Sequence, residues 1–186
     1  MNRAEFEHAI RAAAFHAKDD IVVIGSQAIL ASHPEPPESL VRSMELDVFP
    51  LNHPERSDAI DGAMGDGSPF HAAWDFYAQG VGRETLVAPA GWENRLIRLE
   101  LPAIRRKEGT IVAWCLSAED LVLAKLAAGR PHDVAFAEDA LREEIVYAEQ
   151  LRLGVELLPE THREDTRIRL EGLLARVSRR QPRPES

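Results

Sequence analysis

Glu45 and Asp47 stand two residues apart in the stretch SMELDVFP, residues 43–50. Side chains on an extended strand alternate between its two faces. Met44, Leu46 and Val48 then point one way, and Ser43, Glu45 and Asp47 the other. The β-carbons of the two acids are about 7 Å apart, from a rise of ~3.3 Å per residue, so their side chains can converge on one hard cation. Without a cation or a base beside them, each raises the other's pKa. Mg²⁺ takes oxygen ligands and is commonly held by one or two carboxylates together with substrate phosphates. An ion held so can orient a triphosphate and activate an attacking hydroxyl. A half-exposed edge strand with both acids in water produces the same spacing without any ligand.

Gly25 and Ser26 bear on that choice. They follow the β-branched run DDIVVIG and precede QAILAS, so they stand where a strand turns into a short helix. Free backbone N–H groups at a helix start attract phosphate. Gly permits close approach, and Ser adds a hydroxyl donor. A plain strand-to-helix turn uses the same residues. The pairing of a phosphate cradle with two acids on a nearby strand supplies both halves of a nucleotide–metal site.

The surrounding pattern specifies the elements that must position these groups. Residues 3–18 carry Phe6, Ile10, Ala13, Ala14 and Phe15 near helical spacing. Ser26 is expected to cap the QAILAS helix. HPEPPES holds three prolines in seven residues and is a loop. The strand at 43–49 follows, ended by Pro50. Residues 54–63 suit a helix entered at Pro54, GAMGDGSPF a turn, 70–100 two or more strands, and GTIVAWCL another strand. From Ser117 to about residue 178 the pattern is helical, and RRQPRPES suits a frayed tail. The expected division is an α/β core over 1–116, a helical part over 117–178 and a disordered tail over 179–186. The fold class is thus α/β or α+β, a mixed sheet flanked by helices with a C-terminal helical bundle.

In the helical half, Ser117 suits an N-cap, with Asp120 in the capping-box position. Gly129 can close the first helix and Pro131 open the next. Lys125 lies among Leu121, Val122 and Ala128 at helical spacings, so its amine either reaches water or meets an anion. Asp133 falls in the first turn of the following helix, where the helix dipole alone favours it. Arg130 can pair with Asp133 or bind phosphate. His132 fits a surface residue.

Composition limits the alternatives. The net charge of −9 argues against DNA binding over the whole surface. Residues 161–186 carry +3, which suits either a solvated helix face or a local polyanion contact. The apolar runs are too short and too charged to span a bilayer. MNRAEFEHAIRAAA lacks the apolar block of a signal peptide. Cys115 is the sole cysteine, which rules out a disulfide framework or thiolate zinc cluster and suits a reducing cytoplasm. The histidines show no zinc spacing. Trp74, Phe76 and Tyr77 suit core positions more than a base-stacking platform, and Asp58 and Asp61 an exposed helix face.

IGSQAIL followed by SMELDVFP resembles the signature of the nucleotidyltransferase superfamily, in which Gly-Ser or Gly-Gly precedes a pair of acids. SMELDVFP, IDGAMGDGSPFH, FYAQGVG, GWENRLI and CLSAEDLVLAKLAAGRPHD together resemble an uncharacterised bacterial nucleotidyltransferase-like family related to the toxins of toxin–antitoxin systems. The resemblance covers roughly residues 20–150. It implies that Gly25 and Ser26 contact a triphosphate, that Glu45 and Asp47 hold Mg²⁺, and that Lys125 and Asp133 belong to the helical part of the site. Two departures stand out: the Pro-rich insert lengthens the gap between Ser26 and Glu45, and Glu45 replaces a commoner Asp. A third acid is expected on a following strand. Asp66, Asp75 and Glu100 are candidates, while Gln79 stands where an acid is half expected.

Three functions follow as expectations. The first is an Mg²⁺-dependent enzyme moving a nucleoside monophosphate from an NTP to a hydroxyl of tRNA or protein, toxin-like and with a cognate antitoxin. Lys125 and Arg130 then serve nucleotide binding beside Gly25 and Ser26, Lys125 balances charge, and Asp133 orients Lys125 or Arg130. The second is a degenerate fold that binds nucleotide or a partner without turnover. The third is an interaction module built on the C-terminal helices.

Overall fold

The structure, a computed structural model, describes residues 1–102 and 109–180. The expected tail over 179–186 lies outside the described residues from 181 on. The chain divides into two compact units, one of residues 1–86 and 93–117, the other of 87–92 and the chain from 118 onward.

The first unit opens with α1 (Arg3–Ala17), started by a capping box between Asn2 and Glu5 and closed by Lys18 in the left-handed region. The strands are β1 (Ile21–Val23), β2 (Glu45–Pro50), β3 (Tyr77–Gly80), β4 (Ile97–Pro102) and β5 (Thr110–Cys115). The intervening helices are α2 (Ile29–Ser32), α3 (Ser57–Met64) and α4 (Pro69–Trp74). Among the described residues they build a five-stranded mixed sheet in the order β3-β2-β1-β5-β4. β1 runs antiparallel to β2 and parallel to β5, and β2 runs parallel to β3.

Register assigns the two faces. Leu46, Val48, Ala78, Ile21, Val23, Ala113 and Cys115 share one face and are fully buried. α1 and α3 pack against this face. Ser57 at the start of α3 sits so close to Gly80 that a β-carbon there would lie 2.7 Å from the Ser57 carbonyl carbon and nearer still to its oxygen. Only glycine lets that helix seat on β3. The opposite face carries Glu45, Asp47, Tyr77, Gln79, Trp114, Arg98 and Glu100.

Two local expectations are corrected. Ser26 does not cap a helix: Gly25 holds the N-cap position without a side-chain bond, and Ser26 begins a 3₁₀ turn, Ser26–Ala28, that runs into α2. The Ala28 N–H bonds the Gly25 carbonyl, so the backbone itself closes the turn. Residues 70–74 are not strand but lie in α4, because Ser68 caps it and Pro69 presets its first turn. Phe70 and Trp74, four apart on α4, thereby meet His8 and Phe76 in an aromatic cluster, with Phe76 buried and Trp74 half exposed.

The second unit packs α5 (Ala118–Ala128) against α6 (Pro131–Arg142), α7 (Ala148–Val155) and α8 (Glu160–Arg180). Gly129 closes α5 with φ +68. Arg169 of α8 donates to the terminal α5 carbonyls of Leu126 and Ala127. Arg167 and Arg176 of α8 pair with Glu156 and Glu138, and Arg152 of α7 pairs with Glu171 of α8. Much of the basic charge near the C-terminus is thus matched by acids within the unit. No helix among the described residues is long and apolar enough to cross a membrane.

Candidate functional site

Asp47 lies in the middle of β2, and its backbone oxygen accepts a hydrogen bond from the Ile24 N–H at 3.1 Å. That bond brings the end of β1 alongside the acid. A β-carbon built on Gly25 would lie 2.9 Å from Asp47 Cγ and 3.0 Å from its Cβ, closer still to Oδ2. Gly25 is therefore the floor on which the Asp47 carboxylate rests. Its φ of −80 is open to any residue, so the requirement for glycine is spatial, not conformational. Ser26 follows directly, at the first position of the same turn.

Gln27, fully buried, donates from Nε2 to the Ser43 carbonyl at 2.8 Å. Ser43 Oγ accepts from the Glu45 N–H at 3.1 Å. The turn is thus tied to the chain leading into β2. Glu45 and Asp47 are half-buried on one face, as strand alternation requires.

β3 extends the same face. Glu45 pairs with Tyr77, and Asp47 with Gln79. The Tyr77 phenol is held above its ordinary pKa, first by burial and then by the charges of Glu45, Asp66 and Asp47. His71 of α4 lies against the Tyr77 ring, centroids 4.8 Å apart, and its Nδ1 is 3.0 Å from Asp66 Oδ1.

In the second unit, Asp133 is almost fully buried and takes Lys125 Nζ at 2.8 Å on one oxygen and Arg130 Nε at 2.9 Å on the other. The Lys125 ammonium also lies 4.8 Å from the centre of the Phe136 ring. Two cations on one carboxylate leave an excess positive charge. Lys125 is mostly covered, and Arg130 is two-thirds exposed. The exposed His132 is 3.6 Å from the same carboxylate.

Residues 6–159 match the family described as nucleotidyltransferase of unknown function (DUF6036). The chain belongs to this family. Searches of curated proteins and of solved structures each give no match.

For a nucleotidyltransferase, the position of a third acid decides much. Glu100 shares the polar face but sits on β4, three strands from β2, and pairs with Arg98. Asp75 is exposed at the end of α4 in the left-handed region. Asp66 is paired with His71. Among the described residues, no group of three or more His, Cys, Asp and Glu is arranged to hold a metal ion. The donor chemistry present is two carboxylates on one strand face, which suits a hard cation whose remaining ligands come from phosphate and water.

Sequence reasoning passed over the Asp66–His71 pair. The signal was present in Ser68-Pro69, a helix start that places His71 in the first turn, and in the alternation that puts Tyr77 on the face of the acids.

Proposed function

We propose that this nucleotidyltransferase moves a nucleoside monophosphate from an NTP to a hydroxyl acceptor and releases pyrophosphate. The observation that carries this reading is the seating of the Asp47 carboxylate on Gly25. It brings a strand-borne acid pair and a glycine-serine turn to one place on the first unit. Glu45 and Asp47 are the residues that would hold Mg²⁺. When bound, that ion neutralises phosphate charge and acts as a Lewis acid at the reacting phosphoryl group.

The remaining work belongs to the chain. Gly25 offers its backbone N–H with no side chain of its own in the way, and Ser26 offers a backbone N–H and a hydroxyl, toward phosphate oxygens. Gln27 and Ser43 hold the turn and the acid-bearing strand in register. In the second unit, Asp133 fixes Lys125 and Arg130 as a pair of cations, one covered and one exposed, able to meet a phosphate. Positioning and charge neutralisation supply most of the catalysis in chemistry of this type. A tRNA or protein acceptor, and a toxin-like role, rest on the resemblance alone.

A second reading has its own support. Gln79 stands in register with Asp47 where a carboxylate would extend the acid pair, and an amide is a poorer ligand for a hard cation. On that reading the chain binds nucleotide without transferring it.

The test is incubation with each α-labelled NTP, Mg²⁺ and a pool of tRNA or lysate, with Asp47→Ala as control. Label transferred by the wild type and lost in Asp47→Ala supports the enzyme. Equal labelling by both removes the catalytic assignment. Nucleotide binding without labelling favours the second reading.

A further inference from the structure

We propose that Gln79 holds the acceptor hydroxyl beside the acid pair in the transfer proposed above, with Tyr77 as the neighbouring wall of the same subsite; the inference rests on that reading.

The order of the strands assigns the sides. On that reading the outer phosphates lie at the Gly25–Ser26 turn. The turn stands on the β1 side of β2, because the Ile24 N–H bonds the Asp47 carbonyl and Gly25 lies under the Asp47 carboxylate. Attacking and leaving oxygens lie roughly in line through the reacting phosphorus. Pyrophosphate then leaves toward β1, with the α-phosphorus over the acids of β2. The attacking oxygen comes from the opposite side, which is the side of β3.

β3 presents two side chains there. It runs parallel to β2, with Tyr77 in register with Glu45 and Gln79 with Asp47. Paired strands lie about 4.8 Å apart, so Gln79 stands next to Asp47 on the face that carries the acids. Ala78, between Tyr77 and Gln79, points to the other face and is fully buried. Gln79 itself is exposed. Among the described residues β3 is the outermost strand of the sheet, so a substrate reaches Gln79 without crossing another strand.

The strand is tied at both ends. The Tyr77 N–H donates to the Met44 carbonyl at 3.0 Å, and the Val81 N–H to the Val48 carbonyl at 2.9 Å. Ser57 Oγ, at the start of α3, donates to the Val81 carbonyl at 3.1 Å. Gln79 therefore keeps its place relative to Asp47, as a substrate-orienting group on a strand should. The ring of Tyr77 is backed by His71, with centroids 4.8 Å apart.

The amide decides what this position can bind. A carboxylate here would be drawn to a hard cation held by Glu45 and Asp47, whereas an amide is a weaker ligand for it. A hydroxyl suits the amide: Oε1 accepts its O–H, and Nε2 is left to donate to a second oxygen of the acceptor. With its hydrogen turned to Oε1, the hydroxyl oxygen directs its lone pairs away from Gln79 and toward β2. The amide takes no proton near neutral pH, so it orients the nucleophile without ionising it. The substitution of Gln for an acid thus makes this a neutral subsite for an alcohol.

The experiment measures initial transfer rates from α-labelled NTP over a range of concentrations of a tRNA and lysate pool, and separately over a range of NTP. It compares the wild type with Gln79→Met, which keeps the length of the side chain without its hydrogen bonds, and Gln79→Glu, which keeps an accepting oxygen at the same reach. Thermal unfolding and magnesium–NTP calorimetry accompany each variant. Gln79→Met should lose about 10–100-fold in kcat/KM for the pool, with the magnesium–NTP affinity and the KM for NTP unchanged. Gln79→Glu should transfer label faster than Gln79→Met. A folded Gln79→Met as fast as the wild type overturns the assignment while leaving the nucleotidyltransferase reading intact. So does a Gln79→Met that loses magnesium–NTP binding as Asp47→Ala does, since Gln79 then serves the nucleotide, and so does a Gln79→Glu as slow as Gln79→Met. A wild type that transfers no label overturns both.

Discussion

The carboxylate of Asp47 rests on the α-carbon of Gly25, with no room for a β-carbon between them. Gly25→Ala keeps an accessible backbone conformation, so its effect comes from contact alone. The methyl group must push the Asp47 side chain into another rotamer. The expected stability loss is about 1–3 kcal/mol, as for overpacking elsewhere. In an Asp47→Ala background the same change should cost less than in the wild type, because Oδ2 and Cγ are gone and only the β-carbon at 3.0 Å remains in the way. Chemical denaturation of the four proteins in this cycle measures the coupling. Calorimetry should show the larger effect, a loss of magnesium–NTP binding in Gly25→Ala comparable to that in Asp47→Ala.

Asp133 makes a different kind of prediction. Its carboxylate is 2% exposed and satisfied by two cations. Asp133→Ala strips Lys125 of its partner inside the helical unit, and breaking a buried pair from one side costs about 3–5 kcal/mol. Lys125 retains some access to water, which places the expected loss at the lower end. Lys125→Met should cost less, since its methylenes and the Phe136 contact survive and Arg130 still serves the acid. Thermal unfolding ranks the two. Equal losses would show that packing, not charge pairing, holds this corner together.

The sequence made much of this arrangement legible because period-two alternation is a strong signal. Met44-Glu45-Leu46-Asp47-Val48 announced a strand with acids on one face, and Gly25 after an apolar run announced a turn. Helical spacing with Gly129 and Pro131 located α5 and α6. What remained hidden depends on contacts between distant residues. Nothing in Gly25 alone says that its missing β-carbon makes room for Asp47. The helix at Pro69–Trp74 was obscured because Phe70, Trp74 and the neighbouring Phe76 and Tyr77 favour strands by propensity, whereas Ser68 and Pro69 decide the local structure. The third acid could not be located from sequence, since register between β2 and β3 is a tertiary property; it brings Gln79, not an acid, beside Asp47.

Two glycines should respond oppositely to the same substitution. Gly80 faces the Ser57 carbonyl on α3, and backbone atoms cannot swing aside. Gly80→Ala should destabilise by about 3 kcal/mol. A β-carbon on Gly62, inside α3, would meet nothing within 4 Å. Gly62→Ala should stabilise by about 0.5–1 kcal/mol through helix propensity and a less disordered unfolded chain. Urea midpoints on the two variants test both signs.

Cys115 provides a probe of global opening. It lies on β5, fully buried, and burial pushes its thiol up to about 12. The thiolate is the reactive species, so the native protein should resist maleimide at neutral pH. Labelling should appear along with the unfolding transition in denaturant. Fast labelling of the folded chain would mean that the β1–β5 pairing opens locally.

The acid side of the stability curve should depend on Asp19. Burial alone would raise its pKa. Hydrogen bonds from the Asn52 side chain and from the backbone N–H groups of Asn52, His53 and Asp20 outweigh burial and hold it below the ordinary value near 3.8. The native carboxylate therefore stays ionised at a pH where the unfolded chain has already taken up a proton. Its contribution is complete above about pH 3.8 and drains away as pH falls through the lower native value. Asp19→Asn removes that proton linkage. At neutral pH the variant should be less stable by about 1–2 kcal/mol, the scale of hydrogen bonds to a charged group. As pH falls below the ordinary carboxylate range, the two stability curves should converge. Parallel curves throughout the acid range would show that the bonds to residues 52 and 53 do not hold the carboxylate in solution.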